Sequence, residues 1–244
     1  MSLLNIKFSS QLGLEENFYG IGVFPTFLKN MLINVKKINR KHFTLENTMI
    51  GGKKCYLIKP KKTCIWDEKN NFFNFSIWDE DNKPVSLYFK KEIQTLKYPI
   101  PLKKIQIIEK IYGTAIIVNQ YKNNLIIRDI RNFNLKNQEL KKAIESKYLS
   151  FFKYLKSSGE INCSFIFNVI NEELYLINII DHENFKYWKQ HQLDTFSIQF
   201  KFKRPITFPI SDLNKLDPEL EVFVFLEKDN FFYKLKIKEL NNAK

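Results

Sequence analysis

The 244-residue sequence has few glycines and prolines, seven and eight respectively, and no internal repeat. These low counts exclude collagen-like and linker-rich architectures. Hydrophobic residues make up 44% of the chain and aromatic residues 15%, which is too apolar for an intrinsically disordered protein. The length corresponds to one large domain or two small ones and is ample for a packed core.

Cysteine and histidine are also scarce, with three of each. Cys55, Cys64 and Cys163 lack the spacing of a zinc knuckle or of a redox pair, so we expect reduced thiols in a cytoplasmic protein. The histidines are too scattered for a metal cage, and His182 and Glu183 are adjacent rather than at the helical spacing of a zinc protease. We therefore expect no metal site built on cysteine or histidine.

A membrane span and a secretion signal are missing as well. No stretch approaches the roughly 20 consecutive apolar residues that cross a bilayer, and residues 1–7 do not combine a charged segment with an apolar one. We predict a soluble, cytoplasmic protein with no membrane partner. Acidic residues are outnumbered, since 39 Lys and Arg against 26 Asp and Glu give a formal charge of +13, which favours a polyanionic partner such as nucleic acid.

Short apolar runs separated by polar turns predict strands along most of the chain. Apolar residues at three- and four-residue steps predict one long helix over 135–157, and a second, short helix is predicted at 184–192. Strands and helices do not alternate regularly, so we predict an α+β fold of mainly antiparallel sheets flanked by helices. The predicted strands are 53–59, 63–67, 72–78, 85–89, 105–109, 114–119, 125–129, 163–170, 174–180, 222–226 and 231–238.

Two prolines, Pro99 and Pro101, interrupt the chain between strand-rich regions. They predict a boundary there. We therefore expect an N-terminal strand-rich region at 1–98, whose later part packs on the core, and a core at 99–244.

The segment 109–114 reads EKIYGT and joins two predicted strands. Lys110 can act as a nucleophile if nearby cations or burial favour its neutral amine. Gly113 relieves a tight turn and would let the backbone approach a bound nucleotide closely. Taken alone, the same pattern also fits an exposed lysine at a hairpin.

Lysines alternate along the last predicted strand, where Lys234, Lys236 and Lys238 are expected on one face. Three neighbouring ammonium groups repel each other unless an anion lies over them. The predicted turn at 227–230 returns Glu221 close to this strand. A solvated strand face near the C terminus explains the pattern equally well.

Together the two segments resemble the ATP-dependent RNA ligases of the covalent nucleotidyltransferase superfamily, particularly the phage-type enzymes. EKIYGT is similar to the K-x-D-G or K-x-H-G nucleophile motif of that family, with Tyr112 at the acidic or histidine position. EVFV at 221–224 and YKLK at 233–236 match the order of the two late motifs. FIF at 165–167 and the strand at 174–180 resemble the pair that walls the adenine pocket. The hairpin at 77–85, followed by Lys90 and Lys91, resembles the one before the nucleophile.

The resemblance covers roughly 74–238, leaves 1–73 without a counterpart, and has three departures. Phe75 and Ser76 stand where the family has Arg-Gly. Ile166 takes the place of a glutamate that contacts the ribose, and Val222 replaces the glycine after the late glutamate. These losses leave two readings open: an active ligase, or a decayed fold that binds nucleic acid or protein without covalent chemistry. A basic RNA-binding module of unrelated fold explains the charge but not the ordered motifs.

The resemblance implies an RNA-repair reaction with ATP and Mg²⁺. Lys110 would attack the α-phosphate of ATP to form a lysyl-adenylate, while Mg²⁺, Lys234 and Lys236 neutralise the departing pyrophosphate. The AMP would pass to an RNA 5′-phosphate, and a 3′-hydroxyl would then displace it. Glu221 would hold the metal. The other residues implied in nucleotide binding are Glu109, Gly113, Lys91 and either Arg128 or Arg131.

RNA is the partner that this reaction implies. A basic surface of five lysines is expected to hold its backbone, although each also fits an ordinary solvated residue: Lys53, Lys54, Lys59, Lys61 and Lys62. Phe185, Tyr187 and Trp188 are candidates for base stacking or for core packing. Because the sequence ends within ten residues of Lys236, we expect substrate specificity to come from the N-terminal region or from a partner protein.

Overall fold

A computed structural model of the chain describes residues 34–67, 70–91, 105–159, 161–226 and 231–241, with only the backbone at 231 and 232. Within these ranges the chain forms three antiparallel four-stranded sheets and four α-helices. The predicted α+β class is therefore confirmed. The predicted boundary at Pro99 and Pro101 and the turn at 227–230 lie outside the described residues. None of the helices in the described ranges combines the length and apolar content that crossing a bilayer requires.

The described strands and helices have the following bounds. The strands are β1 (Phe43–Ile50), β2 (Lys53–Pro60), β3 (Ser76–Asp79), β4 (Pro84–Ser86), β5 (Ile105–Glu109), β6 (Thr114–Tyr121), β7 (Asn124–Asp129), β8 (Cys163–Ile170), β9 (Glu173–Asp181), β10 (Thr207–Phe208), β11 (Glu221–Leu226) and β12 (Phe231–Lys236). The helices are α1 (Gln138–Lys147), α2 (Leu149–Ser157), α3 (Gln190–Phe200) and α4 (Ile237–Asn241).

The N-terminal sheet has the order β1-β2-β3-β4. Gly51 and Gly52 connect its first two strands with φ values of 56° and 75°. Two successive residues at positive φ match the right-handed twist of an antiparallel hairpin, and glycine adopts this conformation without a steric penalty.

The central sheet has the order β7-β6-β8-β9, and the described helices α1 to α3 belong to the core on one of its faces. This core is rich in phenylalanine: the ring of Phe151 lies 5.3 Å from that of Phe165 and 5.0 Å from that of Phe202. Each phenylalanine buried this way contributes about 1.5–3 kcal/mol to stability. Eight buried aromatic residues fill this core.

The C-terminal sheet has the order β10-β5-β11-β12. One of its faces is apolar, because Ile105, Ile107, Val222 and Val224 pack against residues of α4. Side chains alternate between the faces of a strand. Residues 108, 221 and 223 therefore lie on the opposite face, which carries the candidate site.

A buried polar network ties the chain after β4 to the central sheet. The hydroxyl of Ser164 accepts a hydrogen bond from the Leu87 amide at 2.6 Å and from Asn119 Nδ2 at 2.7 Å. His182 Nε2 lies 2.7 Å from the same hydroxyl. Burial lowers the pKa of His182 to about 3, so this imidazole is neutral in the folded protein.

Most predicted strands are confirmed, and those at 105–109 and 163–170 match to the residue. The prediction of one helix over 135–157 is wrong, because the backbone leaves the helical region at Tyr148, with φ −108° and ψ 38°, and separates α1 from α2. The Tyr148 hydroxyl is bound to the Glu173 carboxylate at 2.9 Å and to the Leu174 amide at 2.9 Å. This anchoring to β9 accompanies the break.

Three further predictions are corrected. The short helix at 184–192 is wrong, since α3 begins only at Gln190 and presents Leu193, Phe196 and Phe200 to the core. The strand at 63–67 is absent, because these described residues form a turn and irregular backbone. The last strand ends at Lys236, where the chain continues as α4, and β1 was not predicted because polar residues interrupt its apolar pattern.

Candidate active site

Lys110 lies directly after β5, and its ammonium group forms an ion pair with Glu221 at the start of β11. The register of the C-terminal sheet explains this contact. Glu109 is opposite Val222 in an antiparallel pair, so the residue after Glu109 and the residue before Val222 lie next to each other. Lys234 of β12 approaches the same carboxylate from the other side, with its Nζ 2.6 Å from Glu221 Oε1. The structure thus brings together Lys110, Lys234 and Glu221, which are distant in sequence.

Tyr112 completes this group, which we call the Lys110 cluster (Lys110, Tyr112, Glu221 and Lys234). Its hydroxyl donates a hydrogen bond to Glu221 Oε2 at 2.6 Å, and the Lys110 ammonium lies 4.1 Å from the centre of its ring. A cation in this position is attracted to the ring face. Sequence reasoning treated Tyr112 only as a departure from the family motif, whereas the structure makes it a direct neighbour of both charged groups.

The electrostatics of the cluster keep its carboxylate ionised. Hydrogen bonds from Lys110, then from Lys234 and Tyr112, lower the pKa of Glu221 to about 2. The bond to Glu221 in turn raises the pKa of Tyr112, so the phenol stays protonated. Two ammonium groups facing one carboxylate leave a net positive charge, which suits a phosphate ligand.

Lys236 lies directly opposite Glu221 in the sheet but pairs with a different carboxylate. Its Nζ is 2.6 Å from Glu219 Oε2, and Lys238 occupies the other oxygen at 2.6 Å. These two lysines lower the pKa of Glu219 to about 2, and Glu219 raises the pKa of Lys236. The prediction that Lys238 shares a strand face with Lys236 is wrong, because Lys238 belongs to α4.

Close contact with β8 requires a glycine at position 113. A Cβ atom built there would lie 2.5 Å from the Val169 carbonyl oxygen, far inside van der Waals contact. The neighbouring Ile111 carbonyl accepts a hydrogen bond from Asn168 Nδ2 at 2.6 Å. The loop that carries Lys110 is therefore held against the central sheet by backbone packing.

Arg128 is fully buried and is bound by the protein itself. Its guanidinium donates to Ser86 Oγ at 2.7 Å, to the Phe75 carbonyl at 2.7 Å and to the Ile130 carbonyl at 2.9 Å. Burial lowers the pKa of Arg128 to about 9. None of its contacts among the described residues joins it to the Lys110 cluster. The alternative, Arg131, lies 6.0 Å from the ring of Phe75.

Glu109 and Lys91 have contacts that do not involve the cluster. The Glu109 carboxylate accepts a hydrogen bond from the Ile206 amide at 3.3 Å. The backbone of Lys91 donates to the Asn71 carbonyl at 2.9 Å, and its side chain is exposed.

Its neighbour Lys90 occupies a more protected position, which sequence reasoning missed. The Lys90 ammonium lies 5.6 Å from the centre of the Tyr187 ring, and burial, followed by the nearby charge of Lys186, lowers its pKa to about 8. Phe89 lies 5.8 Å from the Tyr187 ring and 6.0 Å from that of Phe223. Phe223 shares its strand face with Glu221, so these rings connect Lys90 with the Lys110 cluster. Two adjacent lysines after a strand were the only signal in the sequence.

Two of the five lysines predicted to form a basic surface are engaged in ion pairs. Lys53 pairs with Asp81 at 2.7 Å and Lys59 with Glu46 at 2.5 Å. Lys54 lies 5.7 Å from the Tyr56 ring, whereas Lys61 and Lys62 are exposed. The three aromatic residues considered for base stacking pack within the protein. Phe185 stacks on Trp78 with ring centres 5.9 Å apart. Trp188 packs on Phe196 with ring centres 5.9 Å apart, and Tyr187 is buried.

Ile166, which stands where the resemblance expects a ribose-contacting glutamate, lies in the protein interior. Ile166 is fully buried in β8 between Ile117 and Asn178 of the neighbouring strands. Val222 is likewise fully buried in the core of the C-terminal sheet. Neither position offers a polar side chain to a ligand.

A divalent metal fits the site only together with a phosphate ligand. Across the described ranges, no three His, Cys, Asp or Glu side chains lie close enough together to hold a metal ion. Both oxygens of Glu221 are engaged by Lys110, Tyr112 and Lys234. Mg²⁺ is commonly held by one or two carboxylates plus substrate phosphates and water, and a single carboxylate at Glu221 is compatible with that mode.

No protein-family model matches the sequence, and no curated protein matches it significantly. Two structures of an archaeal ATP-dependent RNA ligase are similar to this chain. Form 1 has a TM-score of 0.53 at 7% identity, over 80% of this chain and 59% of the archaeal chain. Form 2 has a TM-score of 0.52 at 7% identity, over 78% of this chain and 57% of the archaeal chain.

A Naegleria gruberi RNA ligase variant with ATP and Mn aligns at a TM-score of 0.41, with 13% identity over 83% of this chain and 80% of the ligase. That score is too low to support an argument. The chain spans less than two thirds of the archaeal ligase in both forms. The α+β fold of this chain, with its three antiparallel sheets, is thus similar to the fold of the archaeal ATP-dependent RNA ligase.

Proposed function

We propose that this chain is an ATP-dependent nucleotidyltransferase that forms a lysyl-AMP intermediate and joins RNA ends. The observation that carries the proposal is the meeting of Lys110, Lys234 and Glu221 at one edge of the C-terminal sheet. The similarity of the fold to an archaeal ATP-dependent RNA ligase supports it. Because similar folds host different functions, the chemistry of the cluster has to carry the argument.

In the proposed first step, the Lys110 ammonium loses a proton to solvent and its neutral amine attacks the α-phosphorus of ATP. A phosphorus–nitrogen bond forms, the bond from the α-phosphorus to the bridging oxygen breaks, and pyrophosphate leaves with the electron pair. The attacking nitrogen then loses its second proton to solvent, which leaves a neutral phosphoramide nitrogen. Lys234 would balance the charge that develops on the phosphate, with Lys236 nearby.

Glu221 has two roles in this proposal. Before ATP arrives, it holds the Lys110 and Lys234 side chains in place through its two oxygens. A triphosphate competes with this carboxylate for the ammonium groups, so binding would release Lys110 from its ion pair. Glu221 would then be free to contact a divalent ion carried by the phosphates, whose charge would offset that of the departing pyrophosphate.

In the later steps, AMP would move from Lys110 to the 5′-phosphate of an RNA strand. A 3′-hydroxyl would attack that activated phosphate and release AMP. The formal charge of +13 favours binding of the RNA backbone, because lysine and arginine release counterions when they neutralise phosphates.

A catalytically decayed fold that binds nucleic acid or protein is the second candidate. The observation in its favour is Ile166, a fully buried apolar side chain at the position where the family resemblance expects a ribose-contacting glutamate. In this case the Lys110 cluster would bind phosphate groups without forming a covalent bond.

Covalent labelling separates the two candidates. The purified protein is treated with pyrophosphate to remove any AMP already attached, checked by intact mass, and incubated with α-labelled ATP and Mg²⁺ before a denaturing gel. We expect a labelled band that is lost in Lys110→Ala and strongly reduced in Lys234→Ala. Lys142→Ala, an exposed lysine of α1, is the matched control and should label normally. An unlabelled wild-type protein would favour the decayed fold.

A further inference from the structure

A second concave site lies between the segment that leads into β1 and the loop that follows β2. The cavity has a volume of about 260 Å³, enough to admit a single planar ring system. Its apolar lining is Ile38, Phe43, Phe73 and Ile65, and its polar lining is Asn39, His42, Asp67 and Asn70. None of these residues belongs to the Lys110 cluster.

The apolar part of this pocket is preformed. Phe43 and Phe73 are almost fully buried and lie edge to face with ring centres 6.0 Å apart, while Trp66 supports Phe43 at 5.7 Å. Ile65 contributes an aliphatic side chain that remains 72% exposed to solvent. A large apolar residue this exposed beside a concave apolar surface suits a flat ligand that would cover it.

The polar side chains of the pocket are held by the backbone. His42 Nδ1 accepts a hydrogen bond from the Ile65 amide at 3.4 Å, which links the two sides of the cavity. Asn39 Oδ1 accepts from the Lys41 amide at 2.9 Å. An apolar cavity with a few fixed polar groups can bind a ring that carries hydrogen-bonding edges.

The two segments that flank the pocket are rich in exposed cations, which outnumber the single carboxylate in its lining, Asp67. The ammonium group of Lys61 donates to the Arg40 carbonyl at 2.7 Å, so the basic turn before β1 and the basic loop after β2 touch each other. Unlike Lys53 and Lys59, the exposed cations of these two segments form no ion pair with any described carboxylate. They are Lys36, Lys37, Arg40, Lys41, Lys61 and Lys62.

We propose that this pocket binds one base of single-stranded RNA, while the surrounding cations hold the neighbouring phosphates. A base supplies the flat apolar face and polar edges that the cavity accommodates, and the phosphodiester supplies the negative charge that the six cations lack. This combination of a basic surface with an apolar ring site is typical of single-strand binding. The inference rests on the proposed function in taking RNA as the nucleic acid.

The test is fluorescence anisotropy with a labelled single-stranded RNA and with a strand of equal length in which the bases are removed. The first variant is Lys37→Gln/Arg40→Gln/Lys41→Gln. Its matched control is Lys142→Gln/Lys153→Gln/Lys156→Gln, which removes the same charge from exposed positions of the α1–α2 region. We expect the pocket variant to bind RNA about tenfold more weakly with a shallower salt dependence, and the control to change less than about threefold.

Ile65→Ser tests the base itself. It should weaken binding of the base-containing RNA about fivefold and leave binding of the base-free strand unchanged. Equal losses of RNA affinity in the two charge variants would overturn the proposed site. It would also be overturned if Ile65→Ser changed the affinity for the base-containing and the base-free strand by the same factor. Competition by an acidic peptide that equals competition by RNA would instead indicate a protein partner and would also overturn it.

Labelling of Lys110 by AMP distinguishes this inference from the proposed function. Self-labelling does not require RNA, so the pocket variants should label as the wild type does. A protein that labels but binds RNA independently of the pocket would refute only the inference. A protein that fails to label but binds RNA through the pocket would refute only the proposed function.

Discussion

Replacing Gly113 by alanine is expected to destabilise the protein, although the added group is a single methyl. The new Cβ would lie 2.5 Å from the Val169 carbonyl oxygen and 3.0 Å from Ile170 Cγ1. The carbonyl belongs to the β6–β8 ladder, where Val169 is paired with Thr114, so it cannot rotate away as a flexible side chain would. Either β8 or the Lys110 loop must therefore move.

The size of the effect follows from two opposing terms. Forcing a methyl group into a well-packed site costs about 1–3 kcal/mol. Replacing glycine by alanine also restricts the unfolded chain, which stabilises by about 0.4–1 kcal/mol. Because the clash is with a backbone atom, the steric cost lies near the top of its range, which leaves a net loss of about 2 kcal/mol. For a chain of this size that corresponds to a fall in Tm of about 4–8 °C.

Thermal and urea unfolding measure this change without any nucleotide. Gly52→Ala is the comparison, because its added Cβ has no atom within 4 Å and its cost of about 1 kcal/mol comes only from the positive φ. We expect Gly52→Ala to lower the free energy of unfolding by less than Gly113→Ala does. A Gly113→Ala protein as stable as the wild type would refute the packing argument and leave close approach to a nucleotide as the reason for the glycine.

Three further changes have defined outcomes. The folded pKa of His182, about 3, lies below the unfolded value of about 6.5, so its contribution to stability is complete above pH 6.5 and is lost as the pH falls towards 3. Urea unfolding should show a loss of about 2 kcal/mol between pH 7 and pH 5 that is missing in His182→Gln. Arg128→Lys should cost about 2–4 kcal/mol in thermal unfolding, because lysine keeps the buried charge but cannot bond all the acceptors that the guanidinium reaches. An unchanged Tm would contradict the structural role of Arg128. Tyr112→Phe keeps the ring against Lys110 and should slow AMP labelling by no more than about threefold, whereas Tyr112→Ala removes the ring and should slow it about tenfold. Equal rates in both would show that Tyr112 does not position the lysine.

Strand positions were the most predictable part of the fold. Continuous apolar runs such as 163–170 belong to strands of the central sheet, and the polar turns between them mark their ends. The helices were harder, because the apolar spacing of 135–157 continues smoothly across Tyr148 and does not reveal that the backbone breaks there. That break accompanies contacts with β9, which are distant in sequence.

The candidate site was predictable where the antiparallel register sets it. Placing Lys110 after one strand and Glu221 at the start of another suffices to bring them together once the strands pair. Tertiary packing decides which of the adjacent side chains of Lys90 and Lys91 turns towards Tyr187, and the sequence does not show it. The pairing of Lys236 with Glu219 was hidden for the same reason, since two carboxylates compete for the same row of lysines.

The most direct test of the account is to find the atom that carries AMP. The protein is incubated with ATP and Mg²⁺, digested, and analysed by peptide mass spectrometry. We expect an AMP adduct linked through nitrogen to Lys110 and absent from every other lysine. An adduct on a different residue, or none after pyrophosphate treatment and fresh ATP, would contradict it.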